Sequence, residues 1–535
     1  MVARVDCDTL RRWLADGDEL ALFDVREHGQ YGEAHLFFAV PLPFSRLELD
    51  VERLAPRRGV RIVLVDDDER VAARAAQRLS AIGYRDVRVL DGGVPGWAAR
   101  GHPVYAGVNV PSKAFGELIE HACATPSVTA EELARMLQRG DDVLVLDGRP
   151  FAEYQKMNIP GAICCPNGEL AYRLHRLVKD ESTPIVVNCA GRTRSIIGAQ
   201  TLISLGVRNP VRALQNGTQG WTLAGQSLER GSRHRYPAEG IDDVPPALRE
   251  SAQVFADRAG AGSIDAETLA AWRSDPDRTT FMLDVRTPEE FAAGTLAGAV
   301  HAPGGQLVQA TDQYVGVRNA RLVLVDDGDV RARVTAGWLR KLGHQAWVLA
   351  GGIAAAAATL GLARGGDPES AQQTAAASAG AIAEIEADAL HAGLRDAAIV
   401  AVDLRPSPAF RRAHVAGSVW SIRPRIAARL DGESRPITLV ADDPRIAALA
   451  ALELPAAQRA RLRLLRGGFA AWQDAGLPVL STPADPPDAE CIDFLFFVHD
   501  RHDGNLDAAR RYLAWETGLV EQMDDLERGA FRLPH

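Results

Sequence analysis

The sequence contains few cysteines, and no two of them are spaced as Cys-x-x-Cys. Six cysteines occur among 535 residues. Zinc ribbons need closely spaced cysteine pairs, and small disulfide-held domains have a much higher cysteine content. The pattern therefore argues against both, predicts no metal site, and favours free thiols in a reducing cytoplasm.

Long apolar runs and excess positive charge are also missing. No uncharged apolar run approaches the roughly 20 residues that span a bilayer. The start, "MVARVDCDTLRRWL", carries charges where a secretory signal would be apolar, so we expect no such signal. The net charge of −10 disfavours binding to nucleic acid or to an anionic membrane. A chain of this length is too long for one core and predicts several domains.

One pattern occurs four times along the chain. An Asp-x-Arg segment follows a β-rich run, and an aromatic residue stands seven positions after the aspartate. The four aspartates are Asp24, Asp147, Asp284 and Asp403. They lie roughly 120–140 positions apart, which is the period of a domain and not of a solenoid.

The four copies agree further along. A second β-rich run ends at Asp66, Cys189, Asp326 and Ala441 in turn, and a helical stretch, a short strand and a glycine-containing segment follow. Strands that alternate with helices predict an α/β fold, in which each copy is an open, mostly parallel sheet with helices on both faces. Ligands of such folds bind beyond the carboxyl ends of the strands, and Cys189 stands at such an end.

The repeats define the domain boundaries. We place the four domains at 1–107, 125–236, 263–366 and 380–482, and a C-terminal helical tail at 483–535. Segment 109–124 reads as a connecting helix, the proline-rich segment 237–250 as a hinge, and the Gly/Ala/Ser-rich segment 364–381 as a flexible linker.

The stretch "NCAGRTRSIIG" carries the strongest chemical signal. A cysteine between a strand and a helix can lie in a ring of backbone N–H groups, at the positive end of the helix. Arg192 and Arg194 add full positive charges. All three effects favour the thiolate of Cys189 over the thiol and make it nucleophilic. The same ring would also hold a persulfide anion.

Together, the Asp-x-Arg segment, the "IPGA" loop, the cysteine loop and the closing "GG…GW" segment resemble the rhodanese-like sulfurtransferases. The resemblance covers all four repeats. It implies that Cys189 takes sulfane sulfur, becomes a persulfide and passes the sulfur to a thiophilic acceptor such as cyanide or a thiol. It also implies that the loop Cys189–Arg194 binds the donor: Arg194 closes it with help from Arg192, and Ala190, Gly191 and Thr193 complete it.

Loop length and charge bear on the reaction. Phosphatases need five residues between cysteine and arginine, whereas four separate Cys189 from Arg194, so a phosphatase-like or arsenate-reducing use is the weaker interpretation. Two arginines suit a doubly charged sulfonate such as thiosulfate, although a glutathione persulfide or a protein persulfide would also fit. No cofactor is implied. A persulfide carrier or sensing scaffold that hands sulfur to a protein partner is the alternative function.

The other three copies lack the nucleophile. Asp66, Asp326 and Ala441 replace the cysteine, so we expect these domains to be inactive. We interpret them as structural, with domain one covering domain two and domain three pairing with domain four. Binding of a cation or a basic partner by the acidic loops is the other interpretation.

Three further features need an interpretation. Cys164 and Cys165 read as buried packing residues, with a role as resolving thiol or sulfur acceptor as the alternative. Arg149 forms an Asp-x-Arg pair that recurs in active and inactive copies, so it reads as structural, although it is also a candidate at the border of the cleft. In the tail, apolar residues from Leu506 to Leu526 predict an amphipathic helix docked on the body or on another subunit. "HDRHD" at 499–503 reads as a polar turn, with a metal site as the alternative.

Overall fold

The computed structural model describes residues 2–237, 244–365, 382–496 and 505–533. Each of the four copies contains a five-stranded parallel sheet, and the strand order is the same in all four. The first strand lies at one edge, and the strand that ends at Asp66, Cys189, Asp326 or Ala441 lies in the middle. No helix in the described part of the chain is long and apolar enough to cross a membrane. The predicted α/β fold is confirmed.

Domains one and two have the following elements. In domain one the sheet order is β1-β5-β4-β2-β3, and the elements are β1 Ala3–Val5, α1 Cys7–Ala15, β2 Ala21–Asp24, α2 His28–Glu33, β3 Val40–Pro41, α3 Leu47–Leu54, β4 Arg61–Val65, α4 Arg70–Ala81, β5 Asp86–Leu90 and α5 Gly93–Ala99. A helix, α6 Val110–Cys123, follows. In domain two the order is β6-β10-β9-β7-β8, and the elements are β6 Ser127–Val128, α7 Ala130–Arg139, β7 Leu144–Asp147, α8 Phe151–Lys156, β8 Ile163–Cys164, α9 Asn167–Arg173, β9 Ile185–Asn188, α10 Thr193–Ser204, β10 Val211–Leu214 and α11 Gly217–Leu223.

Domains three and four follow the same plan. Domain three has α12 Pro246–Arg258, β11 Ser263–Ile264, α13 Ala266–Arg273, β12 Thr280–Asp284, α14 Pro288–Ala293, β13 Thr295–Leu296, β14 Val300–His301, α15 Gly304–Gln309, β15 Arg321–Val325, α16 Val330–Lys341, β16 Gln345–Leu349, α17 Gly352–Leu360 and β17 Leu362–Ala363. The strands of domain four are β18 Glu384–Ile385, β19 Val400–Asp403, β20 His414–Val415, β21 Val419–Trp420, β22 Ile437–Val440, β23 Leu462–Leu465 and β24 Val479–Leu480. Its helices are Ala387–Arg395, Ser407–Arg412, Arg423–Arg429, Pro444–Ala451, Ala456–Arg459 and Gly468–Asp474.

The chain forms two compact units, and their composition corrects the predicted pairing of domains. One unit contains the described residues of 1–10, 22–107 and 368–496, so it holds most of domain one, domain four and the start of the tail. The other contains those of 11–21, 108–367 and 497–535, so it holds domains two and three, the helices of the tail and a short segment of domain one. The prediction that domain one covers domain two and that domain three pairs with domain four was therefore wrong.

Buried ion pairs explain the partner choice within each unit. In the first unit, Arg423 of domain four is fully buried and donates to Glu48 of domain one at 2.8 Å. In the second unit, Arg331 of domain three donates to Glu169 of domain two at 3.1 Å. Removing one partner of a buried charge pair is costly, so these matched charges favour the observed pairs.

The Asp-x-Arg segments have the same structural role in all four copies. Each arginine donates to the carboxylate of its own aspartate and to the backbone carbonyl oxygen eight positions further on. The pairs are Arg26 with Ala34, Arg149 with Met157, Arg286 with Gly294 and Arg405 with Ala413. The structural interpretation of this motif is confirmed.

The predicted connections are confirmed in part. Segment 109–124 is the helix α6. In the predicted hinge, residues 238–243 lie outside the described residues, while Pro246 begins the helix α12, where proline suits the first turn. Most of the predicted linker 364–381, and the segment "HDRHD", also lie outside the described residues.

The tail is helical, as expected, but it is not one continuous helix. Its helices are Leu506–Thr517, Leu519–Gln522 and Asp525–Arg528. The first packs against α6 and α11 of its own unit, and the second packs against α6. Phe531 lies 5.6 Å from Phe115 between ring centroids.

Candidate active site

Cys189 directly follows β9, the central strand of domain two, and opens the loop that leads to α10. Its side chain is only 2% exposed, and the hydroxyl of Ser195 donates a hydrogen bond to its sulfur at 3.1 Å. The backbone amides of Thr218 and Gln219 in α11 donate to the carbonyl oxygens of Cys189 and Ala190, at 2.8 and 3.2 Å. The loop is therefore fixed by the following strand–helix connection.

Gly217 permits this close approach. Its φ is +52°, and a Cβ atom there would stand 2.3 Å from the carbonyl oxygen of Cys189. A side chain at this position would therefore displace the loop. In domain two this steric limit explains why the segment that closes the repeat has a glycine at position 217.

Arg194 ends the loop that Cys189 begins, and hydrogen bonds from its guanidinium group hold it in place. Both terminal nitrogens donate to the carboxylate of Glu153, at 2.9 and 2.8 Å, and one also donates to Gln306 of domain three at 3.3 Å. Burial alone would lower the pKa of Arg194, but the carboxylate of Glu153 outweighs it and raises the pKa above its ordinary value. The positive charge is thus fixed next to the sulfur.

Arg192 is bound by carboxylates of the connecting helix α6. Its guanidinium donates to Glu117 at 2.7 and 2.8 Å, to Glu120, and to the side-chain oxygen of Asn216 at 3.3 Å. Burial lowers the pKa of Arg192, but these acceptors raise it above its ordinary value. The contacts tie the loop to α6. Its predicted help in donor binding stays a prediction.

A cavity of about 220 Å³ opens at the sulfur and is walled by three parts of the same unit beyond the loop. The connecting segment contributes Val108, Asn109 and Lys113; domain three contributes Gln306, Gln309, Ala310 and Gln313; and the tail contributes Tyr512 and Glu516, while Glu153 and the loop Cys189–Arg194 complete the lining. Among the described residues, domain three therefore lines the cleft of domain two.

Outside the loop Cys189–Arg194 none of the lining residues was predicted, and the two from the tail are the least expected. Tyr512 and Glu516 stand four positions apart on the first tail helix and both are buried, so they share a face. The hydroxyl of Thr193 donates to Glu516 at 2.9 Å. A glutamate on the apolar face of an amphipathic helix was the available signal, because such a position is normally apolar.

Arg149 does not line this cavity. Its guanidinium is committed to Asp147 and to the carbonyl oxygen of Met157, which supports the structural role, while its place at the border of the cleft stays a prediction. Cys164 and Cys165 are buried, and burial raises the pKa of both thiols, that of Cys164 to about 12. Burial and raised pKa agree with their interpretation as packing residues.

In domains one and three an aspartate carboxylate takes the place of the anionic sulfur. Asp66 accepts hydrogen bonds from the backbone amides of Glu69, Val71 and Ala72, at 2.6 to 2.9 Å. Asp326 accepts from those of Asp329 and Ala332, at 2.8 and 3.1 Å. These loops already contain an anion, whereas Ala441 in domain four provides neither a carboxylate nor a thiol.

Four parts of the chain match the model of the family described as Rhodanese-like domain: residues 6–100, 129–224, 265–359 and 386–475. The matches lie inside the four repeats and together cover more than half of the chain. The chain therefore belongs to the rhodanese-like family, as the sequence motifs indicated.

Individual relatives agree with this assignment. The crystal structure of a thiosulfate sulfurtransferase from Pseudomonas aeruginosa is 41% identical, covers 100% of both chains and superposes with a TM-score of 0.90. A putative thiosulfate sulfurtransferase, SseB, from Mycobacterium tuberculosis is 29% identical over 38% of this chain and 78% of its own length. An HTH-type transcriptional regulator of the same species, Rv0324, is 37% identical, but the alignment spans 20% of this chain and 46% of the regulator.

Proposed function

We propose that the protein is a thiosulfate sulfurtransferase whose reaction runs through a persulfide on Cys189. The observation that carries the proposal is the position of Cys189, which lines a small cavity together with the fixed cation Arg194. The names of its relatives support the same reaction class.

In the first half-reaction the Cys189 thiolate attacks the outer sulfur of thiosulfate. The sulfur–sulfur bond of thiosulfate breaks, sulfite leaves with the bonding electron pair, and Cys189 carries a persulfide anion. The role of Arg194 is to attract the sulfonate oxygens, because its guanidinium carries a full positive charge in the cavity lining and has five N–H groups, more than Glu153 accepts. Arg192 acts by holding the loop to α6.

In the second half-reaction an acceptor anion attacks the outer sulfur of the persulfide. The bond to Cys189 breaks, the thiolate is restored, and the product is thiocyanate from cyanide or a persulfide from a thiol. A two-step covalent cycle of this kind gives ping-pong kinetics. The cavity of about 220 Å³ lies below the roughly 300–1,000 Å³ of sites for drug-sized ligands, which favours small donors and acceptors over a folded protein. The free thiols suit a reducing cytoplasm, which we propose as its location.

Intact-mass spectrometry after incubation with thiosulfate tests the proposal. We expect the wild type and the control Cys123→Ser to gain one sulfur atom, and Cys189→Ser to gain none. Cyanide should then remove the sulfur and release thiocyanate.

The other outcomes also discriminate. Loading by glutathione persulfide alone would keep the site and change the donor. Loading without turnover on any small acceptor would favour the persulfide carrier that serves a protein partner. Equal loading of Cys189→Ser, or no loading with either donor, would refute the site.

A further inference from the structure

A buried carboxylate faces the same cavity as the cysteine. Glu516 is 2% exposed and lines the cavity with Cys189. One carboxylate oxygen, Oε1, accepts the hydrogen bond from Thr193. The other, Oε2, has no hydrogen-bond partner among the residues that the structure describes. A carboxylate oxygen left in this state is costly to bury, which indicates that a substrate atom is its partner during the reaction.

Glu516 lies against the catalytic loop itself. A Cβ atom placed on Gly191 would be 3.0 Å from its Oε2. The cations of the loop are bound elsewhere, since Arg194 pairs with Glu153 and Arg192 pairs with Glu117. The second oxygen of Glu516 is therefore not engaged by these arginines, and it lies in the cavity that Cys189 also lines.

The second half-reaction needs such a group for one class of acceptor. A thiol attacks the persulfide only after losing its proton, and a carboxylate held against the loop can take that proton as the attack begins. A positioned carboxylate accelerates a proton transfer of this kind by roughly 10²- to 10⁴-fold. The cyanide anion carries no proton and needs no base.

We propose that Glu516 is the base that deprotonates a small thiol acceptor in the cavity. The thiol proton passes to Oε2 of Glu516 as the thiol sulfur attacks the outer sulfur of the Cys189 persulfide. The bond between the two persulfide sulfurs breaks, and its electron pair remains on Cys189. The product is a small-molecule persulfide, to which Glu516 returns the proton as it leaves. The inference rests on the proposed persulfide cycle and assigns its acceptor to the thiols.

Glu516→Gln tests the inference, because glutamine keeps an oxygen for Thr193 and removes the base. Glu521→Gln is the matched control, since Glu521 is an exposed glutamate of the same tail. Rapid mixing of the persulfide-loaded protein with each acceptor separates discharge from loading. We expect discharge to a thiol to slow roughly 100-fold, whereas discharge to cyanide and loading by thiosulfate stay within about twofold of the control.

The acidity of the thiol gives a second readout that a merely structural role would not move. Thiols that are already ionised at the assay pH need no base. They should therefore remove sulfur from the Cys189 persulfide of Glu516→Gln nearly as fast as from that of the wild type. Equal slowing with cyanide and thiols, or no slowing with any thiol, would overturn the inference. Failure of the wild type to load would instead refute the proposed function, so the two failures are distinguishable.

Discussion

Removing the carboxylate of Glu117 should loosen the loop that carries Cys189. Glu117 and Arg192 form a two-pronged ion pair at 2.7 and 2.8 Å, and their side chains are 3% and 13% exposed. Glu117→Leu leaves the guanidinium of Arg192 buried and ion-paired with Glu120 alone among the acids of α6. The arginine must then lose solvation without full compensation, or pull the loop toward solvent.

The expected magnitude follows from the burial of the pair. Breaking a buried ion pair by removing one partner costs about 3–5 kcal/mol, and we take the lower end because Glu120 remains. A loss of about 3 kcal/mol corresponds to a roughly 150-fold change in an equilibrium constant. Glu120→Leu should cost about 1 kcal/mol or less, because Glu120 is more exposed, at 22%.

Hydrogen exchange of the α10 amides is the assay, since a chain of several domains need not unfold in one step. Glu117→Leu should lower their protection by roughly 100-fold and slow persulfide loading. The double variant Glu117→Leu/Arg192→Met should regain most of the protection, because an apolar pair can replace a buried ion pair. Equal effects of Glu117→Leu and Glu120→Leu, or no recovery in the double variant, would refute the reasoning.

Three further predictions concern the same chain. Gly217→Ala should lower the melting temperature well beyond Gly225→Ala: both glycines have positive φ, which costs about 1–2 kcal/mol for alanine, but only at Gly217 would the new atom meet the loop backbone. Peptide mapping after alkylation at pH 8 should find Cys189 modified and Cys164 untouched, because burial raises the pKa of the Cys164 thiol to about 12 and the thiolate is the reactive form; equal labelling would contradict this. Burial also raises the pKa of Asp326 to about 6 from 3.8, so its contribution to stability is present below pH 4 and is lost as the pH rises through 6. Between pH 4 and 7 the free energy of unfolding of Asp326→Asn, measured in urea, should therefore rise relative to that of the wild type by up to about 3 kcal/mol. A difference between the two proteins that does not change with pH would contradict the raised pKa.

The features that the sequence predicted correctly are local ones. The Asp-x-Arg segment, the strand that ends at Cys189 and the helix that follows are contiguous stretches, and their hydrophobic periods report secondary structure directly. Four repeats strengthened each inference, because a motif shared by active and inactive copies points to folding. The recurring pair of Asp147 and Arg149 was understood in that way.

The features that sequence reasoning missed join distant segments. Thr193 and Glu516 are hydrogen-bonded across 323 positions, and no spacing rule connects them. The partner of Arg192 could not be predicted from the sequence either, because a loop arginine close to a cysteine suggests a contact with substrate. Only the packing of α6 shows that Glu117 is within reach of Arg192. The pairing of domains depended on buried charges such as Arg331 with Glu169, which look like ordinary surface residues in a sequence.

Domain one pairs with domain four, and domain two pairs with domain three. This nested order determines how long each domain remains without its partner during synthesis. Arg423 is made 375 positions after its partner Glu48, so at about 5–20 residues per second the first domain waits roughly 20–75 s on the ribosome with that surface uncovered. Domain three is synthesised sooner after domain two than domain four is after domain one. The cavity of domain two is completed later still, because Glu516 is made 323 positions after Thr193. A nascent chain therefore holds the nucleophile well before it holds the carboxylate that faces it.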